Sequence, residues 1–405
     1  MVLKFKLIFC IITFALCFLS QGAFAFTKPD WKLVVYMQAD NDLYEFALKD
    51  IEELKSSILN SSRVEAYVFL DTPGNLGKSI FKISQYGIKT LAYIKEETTQ
   101  ASDLELLLKI ASSNNSKTLF TFWGHGEGWS ADSLAQFGGI SLDDYPVSKL
   151  TIPEIANVLK SLKKIEIIAM DACLMQTVEV AYELKDDAEY ISGSTQIQNW
   201  EGFSYNHIIK YIDTKLEKES KRSSSSDSFY LAKMLVNIND ENSTDQNRTL
   251  NVINTDEFKN ILIPSINKSF QMFSEFLNEN FEYKLLFNLQ IIPSFLGESK
   301  DLSLTVSYIL EFLEKIDTNI VLKNQFNKLK SSINRTVLNY KFGPIYILNN
   351  DYYLGQFKAF GIWIPSSKSI YDQRIYEFQS SSFYKNAPGW NSFLRSIYEQ
   401  KLLIF

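Results

Sequence analysis

Two stretches constrain the fold more than any others: Leu119-Phe-Thr-Phe-Trp-Gly-His125-Gly-Glu-Gly-Trp129 and Ile167-Ile-Ala-Met-Asp171-Ala-Cys173-Leu-Met175. Each reads as a buried strand that stops abruptly in residues too small or too polar for a core. A short apolar run closed by Gly or Asp is how a strand of a parallel sheet carries a side chain to its C-terminal edge. The side chains carried there are His125 and Cys173, in a chain with only two histidines and three cysteines.

The residues around these stretches repeat one alternation. Trp31–Met37 reads as an apolar strand, followed by Ala39-Asp-Asn-Asp42 and an amphipathic helix over about Leu43–Ile58. Asp42 is placed to cap that helix, with Glu45 three residues on completing a capping box. Val64–Leu70 is a second strand, stopped by Asp71-Thr-Pro-Gly74. Ile80–Ile94 reads as two short strands and Ser102–Ser112 as a helix. The histidine strand, a helix over about Ile152–Lys163, the cysteine strand, a helix over about Val178–Leu184 and a strand at Glu189–Ser194 follow. Alternation at this spacing calls for an α/β fold, a mostly parallel sheet with helices on both faces. Ligand sites of such sheets lie outside the carboxyl ends of the strands, where His125 and Cys173 both fall.

Beyond Tyr205 the pattern changes. Lys215–Ser228, charged and then Ser-rich, reads as a mobile loop, and Asp240–Arg248 is a second polar stretch. Helical patterns dominate Thr255–Leu338. Strand character returns at Pro344–Leu348 and Phe360–Pro365, strands placed to rejoin the main sheet, before a last helix over about Trp390–Gln400. The division expected is a core over residues 26–215 and a mainly helical C-terminal region over 216–405.

Lys4 and Lys6 precede an apolar run over Leu7–Leu19, and Ala23-Phe-Ala25 supplies an A-x-A cleavage pattern. This is the form of a secretory signal peptide over residues 1–25, too short and wrongly flanked for a membrane span. The mature chain is expected to start near Phe26 and to be secreted or periplasmic. Cys10 and Cys17 leave with the signal, so Cys173 is the mature chain's one thiol and no disulfide framework can form. A formal net charge of −6, with scattered charges, argues against nucleic acid or an anionic membrane surface as partner. One cysteine and two distant histidines give no zinc-ligand cluster, and no Gly-rich phosphate loop is present.

Cysteine attacks as thiolate and ordinarily titrates near pH 8.5. A nearby histidine, the Cys173 backbone nitrogen and a following helix would all favour the ionised form. Gly124 and Gly126 flank His125, so the backbone there can approach a substrate closely. Backbone N–H groups of Gly126 and Cys173 could form an oxyanion hole, with His125 protonating a leaving amine. The interval from histidine to cysteine is about fifty residues, as in caspase-type proteases, although Asp171-Ala-Cys173-Leu departs from the caspase pentapeptide. His207, in Tyr205-Asn-His-Ile-Ile209, is the rival base and reads as ordinary helix decoration.

The chain resembles the clostripain family of cysteine peptidases. The resemblance rests on Tyr36-Met-Gln-Ala-Asp40-Asn-Asp42, Trp123-Gly-His125-Gly-Glu-Gly-Trp129 and Met170-Asp171-Ala-Cys173-Leu-Met175, and on Gly202-Phe-Ser-Tyr205, Gly361-Ile-Trp-Ile-Pro365 and Trp390-Asn-Ser-Phe-Leu394. It implies a caspase-like fold, Cys173 as nucleophile and His125 as its partner, in a dyad with no obligatory third member. It also implies cleavage of proteins or peptides after Arg or Lys, with Asp171 and Glu201 as the acidic residues of the P1 pocket. Glu201 stands where relatives often carry Asp, and Gln198-Asn199-Trp200 is bulkier than the small residues expected beside it. Relatives are often zymogens cut between the two strands, which here points to self-processing after Lys149. The product would be two associated chains of an otherwise monomeric enzyme. The reaction requires no cofactor; calcium serves some relatives, and Asp132, Asp143 and Asp144 are the oxygen donors on offer, without calcium-loop spacing. Two alternatives stand beside the endopeptidase: a binding or scaffold protein whose pocket is blocked around Trp200, and a thiol hydrolase or transferase acting on non-peptide acyl groups.

Overall fold

The structure, a computed structural model, describes residues 28–74, 77–95, 100–112, 116–129, 139–144, 147–161, 163–222, 225–238, 249–295, 299–316, 319–341 and 356–399. The signal peptide expected over residues 1–25, the polar stretch Asp240–Arg248 and the strand expected at Pro344–Leu348 lie outside the described residues. In chain order the strands are β1 (Trp31–Gln38), β2 (Val64–Asp71), β3 (Lys78–Ser84), β4 (Gly87–Ile94), β5 (Lys117–Trp123), β6 (Gly139–Asp144) and β7 (Val147–Thr151). They continue with β8 (Ile165–Asp171), β9 (Ala188–Gly193), β10 (Leu250–Asn254), β11 (Ser294–Phe295), β12 (Ser299–Asp301), β13 (Val337–Lys341) and β14 (Gly361–Trp363).

The main sheet runs β13-β10-β9-β8-β5-β1-β2-β3-β4. Its centre is parallel, β1 pairing with β2 and β5, β5 with β8, and β8 with β9. Its outer pairs are antiparallel. Every residue of β1 and β2 is buried, as strands covered on both faces require. Val34 and Tyr36 point into one core, with the helices Ala101–Ala111, Ile152–Leu159 and Val178–Leu184. Leu33, Val35 and Met37 point into the other, with the helices Tyr44–Ile58, Tyr205–Tyr211 and Asp227–Ile238. The α/β sandwich expected from the alternation is the observed fold.

One register matters most for function. β5 and β8 pair from Leu119 opposite Ile167 to Trp123 opposite Asp171. His125 and Cys173 each lie two residues past that last pair, so the two chains leave the sheet level with one another.

Several local expectations are corrected. The helix after β1 starts at Tyr44 with Leu43 at its N-cap and no side-chain cap, so the Asp42–Glu45 capping box does not form. The helix Ile152–Leu159 stops short of Lys163; its start is fixed by Thr151, whose hydroxyl accepts from Glu154 N while Glu154 accepts from Thr151 N. Most of the expected loop at Lys215–Ser228 is helical, a π-turn over Ile212–Leu216 running into the helix Glu217–Arg222. Charge alone misled there: Tyr211 donates to Glu219 and Arg63 reaches Glu217, so the polar residues anchor a helix to the body.

The C-terminal region returns to the sheet by another strand than expected. β10 and β13 extend the main sheet, whereas β14, within the expected strand at Phe360–Pro365, joins β11 and β12 in a separate three-stranded sheet. That small sheet braces the segment after Cys173. Gly361 N donates to Gln176 O at 3.0 Å, and Trp363 N donates to the carboxylate of Glu179 at 2.9 Å. Gln176 also donates to Asn251 of β10, which in turn donates to Ala359 O at 2.7 Å.

Glu179 is fully buried, and burial pushes its carboxyl up to about 7 despite the Trp363 N–H that opposes the shift. A carboxyl raised in the folded state binds more protons folded than unfolded between its ordinary value near 4.5 and about 7. Its contribution to stability is therefore complete below that window and is lost as pH rises through it, up to about 3 kcal/mol. Glu179→Gln keeps the acceptor for Trp363 N and removes the titration. Urea melts of the two chains at pH 5 and pH 8 are expected to show a smaller loss of stability in the variant.

Candidate active site

The site begins in the turn after β8. Leu174, next to Cys173, holds φ of 62°, a left-handed conformation that non-glycine residues adopt at a cost. Its neighbours pin it: Leu174 N donates to Gln196 O at 3.1 Å and Gln176 N to Ser194 O at 2.8 Å. The segment after β9 thus lies alongside the segment after β8, and it delivers Gln198. The backbone N–H of Gln198 donates to Cys173 Sγ at 3.3 Å, while its side-chain amide donates to Met170 O and Ala172 O, each at 3.2 Å. Gln198 is therefore the latch between this loop and the cysteine strand.

The loop after β5 closes on the same point. A methyl on Gly126 would sit 2.3 Å from Cys173 O and 3.1 Å from Cys173 N. Only glycine lets these two backbones touch, and the contact sets the Gly126 and Cys173 main chains side by side. Trp123 is held from behind, its indole N–H donating to buried Asp50 at 2.7 Å. His125 projects beyond it, half-buried, with Nε2 2.7 Å from Asp42 Oδ1.

Asp171 closes the floor. Its Oδ2 accepts from Phe203 N at 2.8 Å and Tyr205 OH at 3.4 Å. Gly202 arches over it at φ of 54°, where a methyl would lie 2.7 Å from the same oxygen. The resulting cleft, about 360 Å³, is lined by His125, Gly126, Asp171 and Cys173, with Leu43, Ile197, Gln198 and Trp200 among the walls. Burial pushes the Cys173 thiol up; the Gln198 N–H opposes that shift and the charge of Asp171 adds to it. The local surroundings thus favour the protonated thiol, contrary to the ionisation expected from neighbouring dipoles.

The expected residues are not all gathered here. Glu201 is exposed and does not line the cleft, although its neighbours Trp200 and Gly202 do. Trp200 is exposed at the rim, where it stacks on Phe46 with ring centroids 5.6 Å apart, and it leaves the space beside Cys173 open. Lys149 lies on β7, largely buried, its ammonium 3.1 Å from Glu127 rather than in the cleft. His207 sits on the helix Tyr205–Tyr211 and is not among the lining residues. Asp132 is outside the described residues, as are the side chains of Asp143 and Asp144 on β6. Among the described residues no group of three His, Cys, Asp or Glu could hold a metal ion, and no helix is long and apolar enough to cross a membrane. Asp42 and Gln198 are the contributors that sequence reasoning passed over. The signal for Asp42 was its place after β1, the strand beside β5.

A model of the clostripain family, peptidase family C11, matches residues 35–396, well over half of the chain. The chain belongs to the clostripain family. Clostripain of Hathewaya histolytica is 24% identical over 218 residues, a match spanning 44% of this chain and 41% of clostripain's own length. Two solved family folds superpose on the structure. One is an inactive zymogen C11 protease from Parabacteroides distasonis, with TM-score 0.64 and 16% identity over 89% of this chain and 99% of its own. The other is a secreted C11 cysteine protease from Bacteroides thetaiotaomicron in complex with an irreversible peptide inhibitor, with TM-score 0.64 and 17% identity over 90% of this chain and 99% of its own. At these identities the likeness bears on the fold, which is the α/β, caspase-like arrangement described above.

The Gly126 contact yields a direct test. Gly126→Ala must push the histidine loop off the cysteine turn, because the obstructing atom is a backbone carbonyl. A loss of about 1–3 kcal/mol is expected, measurable as a lowered urea midpoint.

Proposed function

We propose that this chain is an exported cysteine endopeptidase that hydrolyses peptide bonds after Arg or Lys. The observation that carries the reading is the meeting of Cys173, His125 and the Gly126 main chain in one cleft floored by Asp171. Cys173 Sγ attacks the scissile carbonyl carbon as His125 takes the thiol proton. The carbonyl oxygen, now carrying the negative charge, is met by the backbone N–H groups of Cys173 and Gly126. Collapse of this adduct expels the amine, to which His125 returns the proton, and leaves a thioester on Cys173. Water, deprotonated by His125, then hydrolyses the thioester and restores the thiol. Thiol and imidazole supply the whole of this chemistry, so activity is expected to survive dialysis against EDTA.

Asp171 supports a basic P1 residue, being a carboxylate on the cleft floor beside the nucleophile; Glu201 adds charge at the rim. Because the charge of Asp171 also raises the Cys173 thiol, a cationic side chain bound against it would ease ionisation of the nucleophile. Asp171→Asn is accordingly expected to act in opposite directions on two readouts. Cleavage after Arg and Lys falls, while alkylation of Cys173 by iodoacetamide at neutral pH speeds up.

Short amides with Arg, Lys or neutral residues at P1 test the function, comparing the mature protein with Cys173→Ala. Thiol-dependent release after Arg and Lys, absent from the variant, is the expected result. No thiol-dependent amide cleavage overturns the peptidase reading, and thioester turnover without amide cleavage points to the acyl-transfer alternative. Equal cleavage after neutral residues overturns the acidic-pocket assignment alone. The open cleft beside Trp200 weighs against the blocked scaffold.

Self-processing after Lys149 requires the Lys149–Glu127 ion pair to break and β7 to leave its hairpin. Glu127→Gln is therefore expected to hasten conversion of the single chain into two associated chains, followed on denaturing gels. Unchanged single-chain protein in both forms would remove Lys149 as the processing site.

A further inference from the structure

Asp42 lies two residues before the helix Tyr44–Ile58, yet the helix does not use it. The N-cap is Leu43, with no side-chain cap, and the Leu43 N–H is already taken by Asn41 Oδ1 at 2.9 Å. The Asp42 carboxylate instead lies 2.7 Å from His125 Nε2. It arrives there by register: β1 pairs with β5 from Trp31 opposite Lys117 to Met37 opposite Trp123. The loops that follow these strands therefore leave the sheet side by side, one carrying Asp42 and the other His125.

We propose that Asp42 is a positioning residue for His125, standing behind the Cys173–His125 pair. This rests on the peptidase reading above. An ionised carboxylate only accepts hydrogen bonds, so Nε2 must carry the hydrogen and Nδ1 is left as the basic nitrogen. Nδ1 then takes the proton from Cys173 Sγ as the C–S bond forms, and returns it to the amine as the C–N bond breaks. The proton on Nε2 stays in place throughout; Asp42 holds the ring and offsets the positive charge of the imidazolium between the two transfers. Asp42 is well exposed, with 62% of its side chain accessible. Water can therefore replace part of what it does, and its loss should cost less than the ~10⁴-fold seen when a buried triad carboxylate is neutralised.

The test compares the mature wild-type chain with Asp42→Ala on a short amide with Arg at P1. The expected result is a fall in kcat of about tenfold to a hundredfold, with KM and melting temperature nearly unchanged. Added formate or acetate should restore part of the lost kcat in the variant and have no such effect on the wild type, because the carboxylate position is open to solvent. Asp42→Asn, which keeps the size and removes the charge, supplies the same kcat reading should the alanine variant fail to fold. An active wild type with an equally active Asp42→Ala overturns the positioning role and leaves the peptidase reading intact. A drop in kcat that comes with a lowered melting temperature and no carboxylate rescue shows a merely structural residue and overturns it too. A wild type without thiol-dependent cleavage overturns the peptidase reading and the role of Asp42 with it.

Discussion

Parallel pairing of β5 with β8, in register up to Trp123 opposite Asp171, is the constraint on which the rest of the site depends. Hydrogen-bonded strands lie about 4.8 Å apart, so two chains leaving them level are held at a distance from which side chains can meet. The close approach of Gly126 to the Cys173 carbonyl, which leaves no room for a Cβ, keeps the two chains together past the strand ends. A shift of one residue in either strand would turn its side chains to the opposite face and take His125 or Cys173 out of the cleft.

The cysteine turn is strained at Leu174, and its geometry survives because groups from distant parts of the chain over-determine it. Gln196 and Ser194 hold it from the side, while Gln176, bonded to Asn251, and Glu179, bonded to Trp363 N, hold it from behind. Buried polar groups must find partners, and Gln176 and Glu179 find theirs in Asn251 and Trp363, in the region after residue 216. The C-terminal region is therefore part of the scaffold of the active site. Its strands β10 and β13 complete the main sheet, and its strand β14 stands against the turn.

Electrostatics in the cleft pull in two directions. Asp171 anchors the loop at Phe203 and Tyr205 and places negative charge beside the thiol. Burial pushes the Cys173 thiol up, the charge of Asp171 adds to that shift, and the Gln198 N–H opposes it. On the other side of the cleft, Asp42 places a second carboxylate 2.7 Å from the His125 ring.

Much of this was legible in the sequence because it is local. Period-two and helical apolar patterns placed the central strands and helices, and abrupt Gly and Asp endings marked His125 and Cys173. The outer strands β10 and β13 were not legible, and other misses came where a side chain had two partners to choose from. Asp42 had the composition of a helix cap, and only the neighbouring strand end at β5 offered it an imidazole instead. Lys215–Arg222 looked like loop until Arg63 and Tyr211 supplied partners for its charges. Glu201 and Gln198 flank the same rim, and no pattern shows that one faces solvent while the other reaches Cys173. Backbone periodicity and glycine placement act within a few residues, so the sequence by itself determined the parallel centre of the sheet and the two residues beyond its edge, but not the outer strands β10 and β13. The partners of those residues come from contacts between segments far apart in the chain, and only the tertiary structure decided them.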